Sequence, residues 1–164
     1  MFLRLKICAI SVLFFLSMSA LFSHTGLGAS FSYSASTSPY AAFSFTARSD
    51  LSPWCVFFNS HLGENTISVF ADDWFINERI SNHLDYFVFW GISGGFRFDD
   101  ELSEISTGCR FGAGLDLFLL TRHLEFIAQS VWNPYFGVKK EDGNYSPLFR
   151  PVNFPCTAGI RLYY

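Results

Sequence analysis

The chain has 164 residues, enough for one domain. Half are hydrophobic, 20% are aromatic with 21 Phe, and only 15% are charged, against about 25% in ordinary soluble domains. A net charge of −3 gives no sign of the basic excess that nucleic-acid binding uses. The aromatic load excludes an ordinary polar surface unless the core is unusually aromatic, since a chain this small has much surface for its volume.

The first residues read as a secretory leader. Arg4 and Lys6 form a positive start, residues 7–18 an apolar run, and Ser17-Met18-Ser19 a small-residue site for cleavage before Ala20. A cut nearer Gly28 also fits. The expected organisation is a leader over 1–19 and one domain over 20–164. Without the leader's two cations the net charge falls to about −5. The apolar run to Phe22 is short for a membrane span of ~20 residues. Of the cysteines, Cys55, Cys109 and Cys156 remain. Their spacing matches no zinc pattern. The exported compartment permits one disulfide among them, and small apolar residues on a buried or lipid-facing surface is the simpler reading.

Period two then recurs along the chain. In 29–36, Ser30, Ser32 and Ser34 alternate with Phe31, Tyr33 and Ala35. In 40–48, Phe43, Phe45 and Ala47 oppose Ser44, Thr46 and Arg48. A less regular strand covers 54–60. In 66–74, Ile67, Val69 and Ala71 oppose Ser68, Phe70 and Asp72. In 85–98, Tyr86, Val88, Trp90, Ile92 and Phe96 oppose Phe87, Phe89, Gly91, Ser93, Gly95 and Arg97. In 105–118, Cys109, Phe111, Ala113, Leu115 and Leu117 oppose Gly108, Arg110, Gly112, Gly114 and Asp116. A further strand over 124–133 carries Glu125 and Gln129 on one side. The last, 156–164, opposes Ala158, Ile160, Leu162 and Tyr164 to Thr157, Gly159, Arg161 and Tyr163.

Eight strands separated by turn segments predict an all-β, eight-stranded antiparallel up-and-down barrel. A soluble sandwich or a lipocalin-like binding protein shows the same period with its apolar face inward. Here the second face carries small residues and single charges, which suits the narrow interior of an eight-stranded barrel. The bulky face suits lipid, so the barrel is expected to be transmembrane and closed, leaving no unsatisfied edge in hydrocarbon. Both chain ends then lie on the periplasmic side, with external loops near 36–40, 60–65, 98–103 and 133–154. Arg48, Asp72, Arg97, Arg110, Asp116, Glu125 and Arg161 fall on the inner face and predict an ion-pair network, because unpaired interior charge is costly. Trp54, Trp74, Trp90 and Trp132, with Tyr163 and Tyr164, are candidates for interface girdles, Trp74 and Tyr164 above all.

Thr157, Gly159, Leu162 and Tyr164 stand seven, five, two and zero residues from the last position. This order (polar, glycine, apolar, terminal aromatic) resembles the signal read by the outer-membrane barrel-assembly machinery. From about residue 66 onward the chain also resembles the small outer-membrane β-barrels of spirochaetes, related in architecture to the OmpX and OmpA transmembrane barrels. The residues that carry the likeness are Ala71-Asp72-Asp73-Trp74; Leu84, Tyr86 and Phe87 leading to Gly91 and Gly95; Arg110 with Gly114-Leu115; Leu124-Glu125; and Gly159-Ile160-Arg161. Departures are Gly112 where a proline is expected, Cys109 and Cys156, and the long 133–154 connection. The resemblance implies an eight-stranded barrel without a periplasmic domain. It implies no particular activity.

Catalytic signals are weak. Gly91-Ile92-Ser93-Gly94-Gly95 fits G-x-S-x-G, with Asp116 and His123 following in hydrolase order. That motif needs a sharp strand-to-helix turn, and this one lies in mid-strand. A lipid-modifying barrel enzyme remains the alternative, yet no histidine after the leader (His24, His61, His83 or His123) is followed two residues on by serine. The acidic stretch 99–104 lacks the spaced ligands and central glycine of a calcium loop. No catalytic residue, metal ligand or cofactor is expected. Lys139, Lys140, Tyr145, Phe149 and Arg150 in 137–151 are candidates for contact with lipid headgroups or a surface ligand. The expected partners are outer-membrane lipid and the assembly machinery, with the barrel itself a monomer.

Overall fold

The computed structural model describes residues 25–36, 39–49, 52–99, 101–141 and 143–164. The leader and its cleavage site lie outside the described residues. Ten strands follow one another: β1 (Thr25–Ser34), β2 (Tyr40–Ser49), β3 (Trp54–His61), β4 (Thr66–Arg79), β5 (Leu84–Asp99), β6 (Glu101–Leu119), β7 (Leu124–Trp132), β8 (Tyr135–Glu141), β9 (Asn144–Arg150) and β10 (Pro155–Tyr163).

Every pairing is antiparallel. The sheet runs β5-β4-β3-β2-β1-β10-β7-β6, and β5 also pairs with β6. That last pairing closes eight strands into a ring. The expectation of a closed eight-stranded up-and-down barrel is met, and the eight predicted strands are the ring strands.

The remaining two strands are a finding. The 133–154 connection was expected to be a loop, and most of it is the hairpin β8–β9. β8 pairs with the upper part of β6, from Glu104↔Lys139 to Gly108↔Tyr135, on the side where β7 pairs lower down. The hairpin therefore continues the β7 wall beyond the ring. Residues 101–104, read as an acidic loop, belong to β6. β4 runs past the expected strand end at Trp74 to Arg79, through a register shift between Asp73 and Ile76. Gly63 and Gly143 hold φ of 81° and 79° in the turns before β4 and β9, a conformation that costs glycine little.

Side chains alternate as the sequence does. Most of the ring's serines and glycines, with Arg48, Asp72, Arg110, Asp116, Glu125 and Arg161, point inward. Phe31, Phe43, Val69, Ile92, Phe111, Phe126 and Ile160 point outward, each about 40% exposed or more. The core is thus the barrel lumen, where a smaller set of aromatic and branched residues packs among the polar groups, and most of the bulky apolar residues lie outside it. Within the lumen Trp74 stacks on Phe87 at 3.7 Å, and Phe87 lies 6.0 Å from Phe89. Phe87 pairs with Gly114 and Phe89 with Gly112 across the strands. A Cβ on either glycine would collide with the facing ring. Glycine stands there because the aromatic rings occupy the place of its missing side chain.

Candidate functional site

Three regions inside and above the ring hold the polar chemistry. The lowest lies near the end that carries both Thr25 and Tyr164. Arg161 is fully buried there. Its Nη1 donates to both carboxylate oxygens of Glu125 at 2.9 Å, its Nε to Thr46 Oγ1 at 3.1 Å and its Nη2 to Cys55 Sγ at 3.0 Å. Tyr163 donates its hydroxyl to Glu125 at 2.8 Å. Arg48 reaches Asp116 and Glu125, both at 3.4 Å, and lies 3.9 Å over the Trp74 ring. Such pairs hold only when their geometry offsets the cost of desolvation.

One layer higher, Arg110 donates to both oxygens of Asp72 at 2.7 and 3.0 Å. Its guanidinium lies 3.9 Å over the Phe70 ring. In these two clusters three buried arginines face three buried carboxylates, and a fourth buried carboxylate, Asp85, lies nearer the end that carries the chain termini. Six of the seven predicted inner-face ions meet in these two clusters. Arg97 does not. It lies half-exposed at the opposite mouth, 3.9 Å from Glu64, because alternation fixes a residue's face and not its height along the barrel.

The third region is the mouth beneath the hairpin. A cavity of about 70 Å³ opens there among Tyr40, His61, Arg97, Tyr135, Arg150 and Asn153, space for a few waters. His61 stacks on Tyr40 at 4.5 Å. Asn133 and Asn153 clasp the base of the hairpin. The Asn133 amide donates to the Asn153 carbonyl at 2.9 Å, and Asn153 Nδ2 donates to the Asn133 carbonyl at 3.1 Å. Ser93 and Ser34 donate to the side-chain oxygens of Asn133 and Asn153. In the hairpin, Arg150 lies 5.7 Å over Tyr135, and burial pushes the Tyr135 phenol above its ordinary value against the pull of Arg150.

No family model and no curated protein matches the sequence. In structure the chain is similar to Neisserial surface protein A. The TM-score is 0.50 at 10% identity, covering 86% of this chain and 96% of that one. At this identity the likeness is one of fold.

Several predicted residues take other places. Trp74, a candidate girdle residue, is buried in the lumen. Tyr163 likewise points inward to Glu125. Trp54, Trp90, Trp132 and Tyr164 are exposed on the outside. Thr157 and Gly159 of the predicted assembly signal face inward, and Leu162 and Tyr164 outward. Lys139 bonds Glu141 at 3.1 Å, and Tyr145 and Phe149 are largely exposed. The hydrolase-like set is scattered. Ser93 is level with Gly108 of β6, whereas Asp116 is level with Asp85, eight positions further along that strand, and His123 lies at the turn beyond it. The three described cysteines are free, Cys55 buried and the other two exposed.

Sequence reading missed Asp85. Its carboxylate takes Arg122 at 2.6 Å and Arg79 at 3.8 Å near the end that carries the chain termini. Extending the Phe87–Phe89 alternation back by one step would have found it. Asn133 and Asn153 carried no signal, since both sit where the alternation breaks.

Proposed function

We propose that this chain is a non-catalytic, monomeric outer-membrane β-barrel of the small spirochaete type, akin in build to OmpX and OmpA, whose surface role is carried by the β8–β9 hairpin. The observation that carries the reading is the inverted distribution of polarity. A lumen filled with paired charged and polar side chains is wrapped in exposed Phe, Leu, Ile, Val and Trp on every side of the ring. Burying a side chain of this size is worth about 1.5–3 kcal/mol, and only a lipid surround recovers that for the whole belt. The likeness in fold to a Neisserial surface protein supports the same reading. The polar, charge-filled lumen argues against a soluble lipocalin-like protein, which needs an apolar pocket.

In this reading the two chain ends face the periplasm, and β10 with Leu162 and Tyr164 presents the signal for the assembly machinery. The paired charges fill the interior of a narrow barrel, which favours a role for the surface over one for the lumen. Phe136, Val138, Tyr145 and Phe149 rise above the ring with Lys139, Lys140 and Arg150, a mixture suited to headgroups or a surface ligand. The test is gel mobility of the mature protein refolded in micelles. A compact fast band that slows on boiling is the expected result. A protein that stays folded in water without detergent and shows no shift would overturn the membrane reading.

A further inference from the structure

Trp54, Asp73 and Trp90 form one row across three strands. Trp54 pairs with Asp73, and Asp73 pairs with Trp90. Directly paired residues share a face of the sheet, and this face is the outer one, since Trp54 is 41% and Trp90 42% exposed. Strands two apart are separated by roughly 10 Å, yet the two indole rings approach to 6.1 Å at an angle of 69°. The rings therefore lean toward each other over the strand between them, whose outward side chain is Asp73.

Asp73 is half-buried beneath this pair. Its carboxylate has no hydrogen-bond or ion-pair partner among the described residues. The other carboxylates of β4 are engaged: Asp72 with Arg110 inside, and Glu78 with the Tyr86 hydroxyl at 2.8 Å. An unpartnered anion on an apolar belt is costly and calls for a cation from outside the chain. A single carboxylate is too few donors for a metal ion, and no group of three metal-ligating side chains occurs among the described residues. Two indole walls instead favour an organic ammonium, for which Trp is the best aromatic partner.

We propose that Trp54, Asp73 and Trp90 bind the ammonium headgroup of a phospholipid, ethanolamine or choline, at the membrane boundary nearer the chain ends. The proposal rests on the membrane reading above. Its location supports a lipid source. Trp54 begins β3 at that end of the ring, and tryptophans at a bilayer boundary sit at headgroup level. The wall beside the row continues through exposed Ile92 and half-buried Val88, which suits the acyl chain of the same lipid. An anionic headgroup would meet Asp73 as a like charge.

The experiment is native mass spectrometry of the folded protein in a non-ionic detergent, titrated with short-chain phosphatidylcholine, phosphatidylethanolamine and phosphatidylglycerol. Gel mobility is read on the same samples. The wild type is expected to retain the two ammonium lipids roughly tenfold more tightly than the glycerol lipid. Asp73→Asn and Trp90→Leu each remove that preference and keep the mobility shift, and Asp73→Glu retains both. If Asp73→Asn does not refold, the paired Trp54→Leu and Trp90→Leu variants carry the test. A wild-type protein that shifts on the gel but shows no headgroup preference overturns this site and leaves the membrane reading intact, as does a preference that survives Asp73→Asn. Choline chloride competing as well as the whole lipid overturns the lipid assignment in favour of a soluble amine. A protein folded in water without a shift overturns both.

Discussion

Arg161→Met tests whether the buried ion cluster holds the barrel together. Arg161 is inaccessible to solvent and spends its donors on Glu125, Thr46 and Cys55. Methionine keeps the stem and removes the charge, leaving Glu125 buried. Breaking one side of a buried pair costs about 3–5 kcal/mol. Arg48 at 3.4 Å and the Tyr163 hydroxyl at 2.8 Å still reach Glu125, so the loss is expected near the lower end, about 3 kcal/mol. Glu125→Gln strands Arg161 and costs a similar amount. The double variant strands neither, so its cost falls short of the sum by roughly 2 kcal/mol or more. Arg79→Met is the control. Arg79 is 61% exposed and 3.8 Å from an Asp85 that Arg122 still holds, and its loss costs less than about 1 kcal/mol. The assay is urea unfolding of the refolded protein in vesicles, followed by tryptophan fluorescence. An Arg161→Met cost no larger than that of Arg79→Met, or strict additivity in the double variant, would refute the reasoning.

Gly114→Val forces a side chain into the place held by the Phe87 ring and the Ala128 carbonyl. It should cost about 1–3 kcal/mol by overpacking, with partial rescue by Phe87→Ala on the same urea titration. In the folded protein a membrane-permeant maleimide should label Cys109 and Cys156 and spare Cys55 until urea is added, and mass spectrometry counts the adducts. Replacing residues 134–152 by a short glycine-containing turn should leave the heat-dependent gel shift in place, because the hairpin touches the ring mainly through the upper part of β6.

Period two made the ring legible. It gave the eight strands, the face of each and the inner-face ions, because a pleated strand with one apolar side leaves no other pattern. Two errors came from setting residue type above that parity. Trp74 shares parity with Ser68, Phe70 and Asp72, and Tyr163 with Thr157, Gly159 and Arg161. Both are aromatic, which makes them girdle candidates by residue type, and both point into the lumen. The register shift after Asp73 hid the end of β4, since a bulge breaks the alternation that sequence reading follows. The β8–β9 hairpin was hidden by composition. Its Lys-Lys-Glu-Asp-Gly turn and its Pro147 read as loop, but β9 is an edge strand. Proline is tolerated there because one side of the strand needs no donor. The asparagine clasp has no signal in a single sequence, because its two residues lie 20 positions apart.

The lumen contacts also bear on where any activity resides. Arg48 on β2 reaches Asp116 on β6 and Glu125 on β7, and Arg161 on β10 reaches Thr46 on β2 and Cys55 on β3. These side chains cross the barrel as braces between opposite walls. An eight-stranded barrel has an interior only wide enough for side chains to fill, and here the longest side chains fill it. A solute path would require these braces to open together, each exposing a buried charge at several kcal/mol. The same braces stiffen the ring on which β8 and β9 stand, and the Asn133–Asn153 clasp carries that rigidity into the base of the hairpin. The hairpin thus presents its aromatic and basic residues from a fixed platform. A partner that binds there need not order a loop, which lowers the entropic cost of recognition.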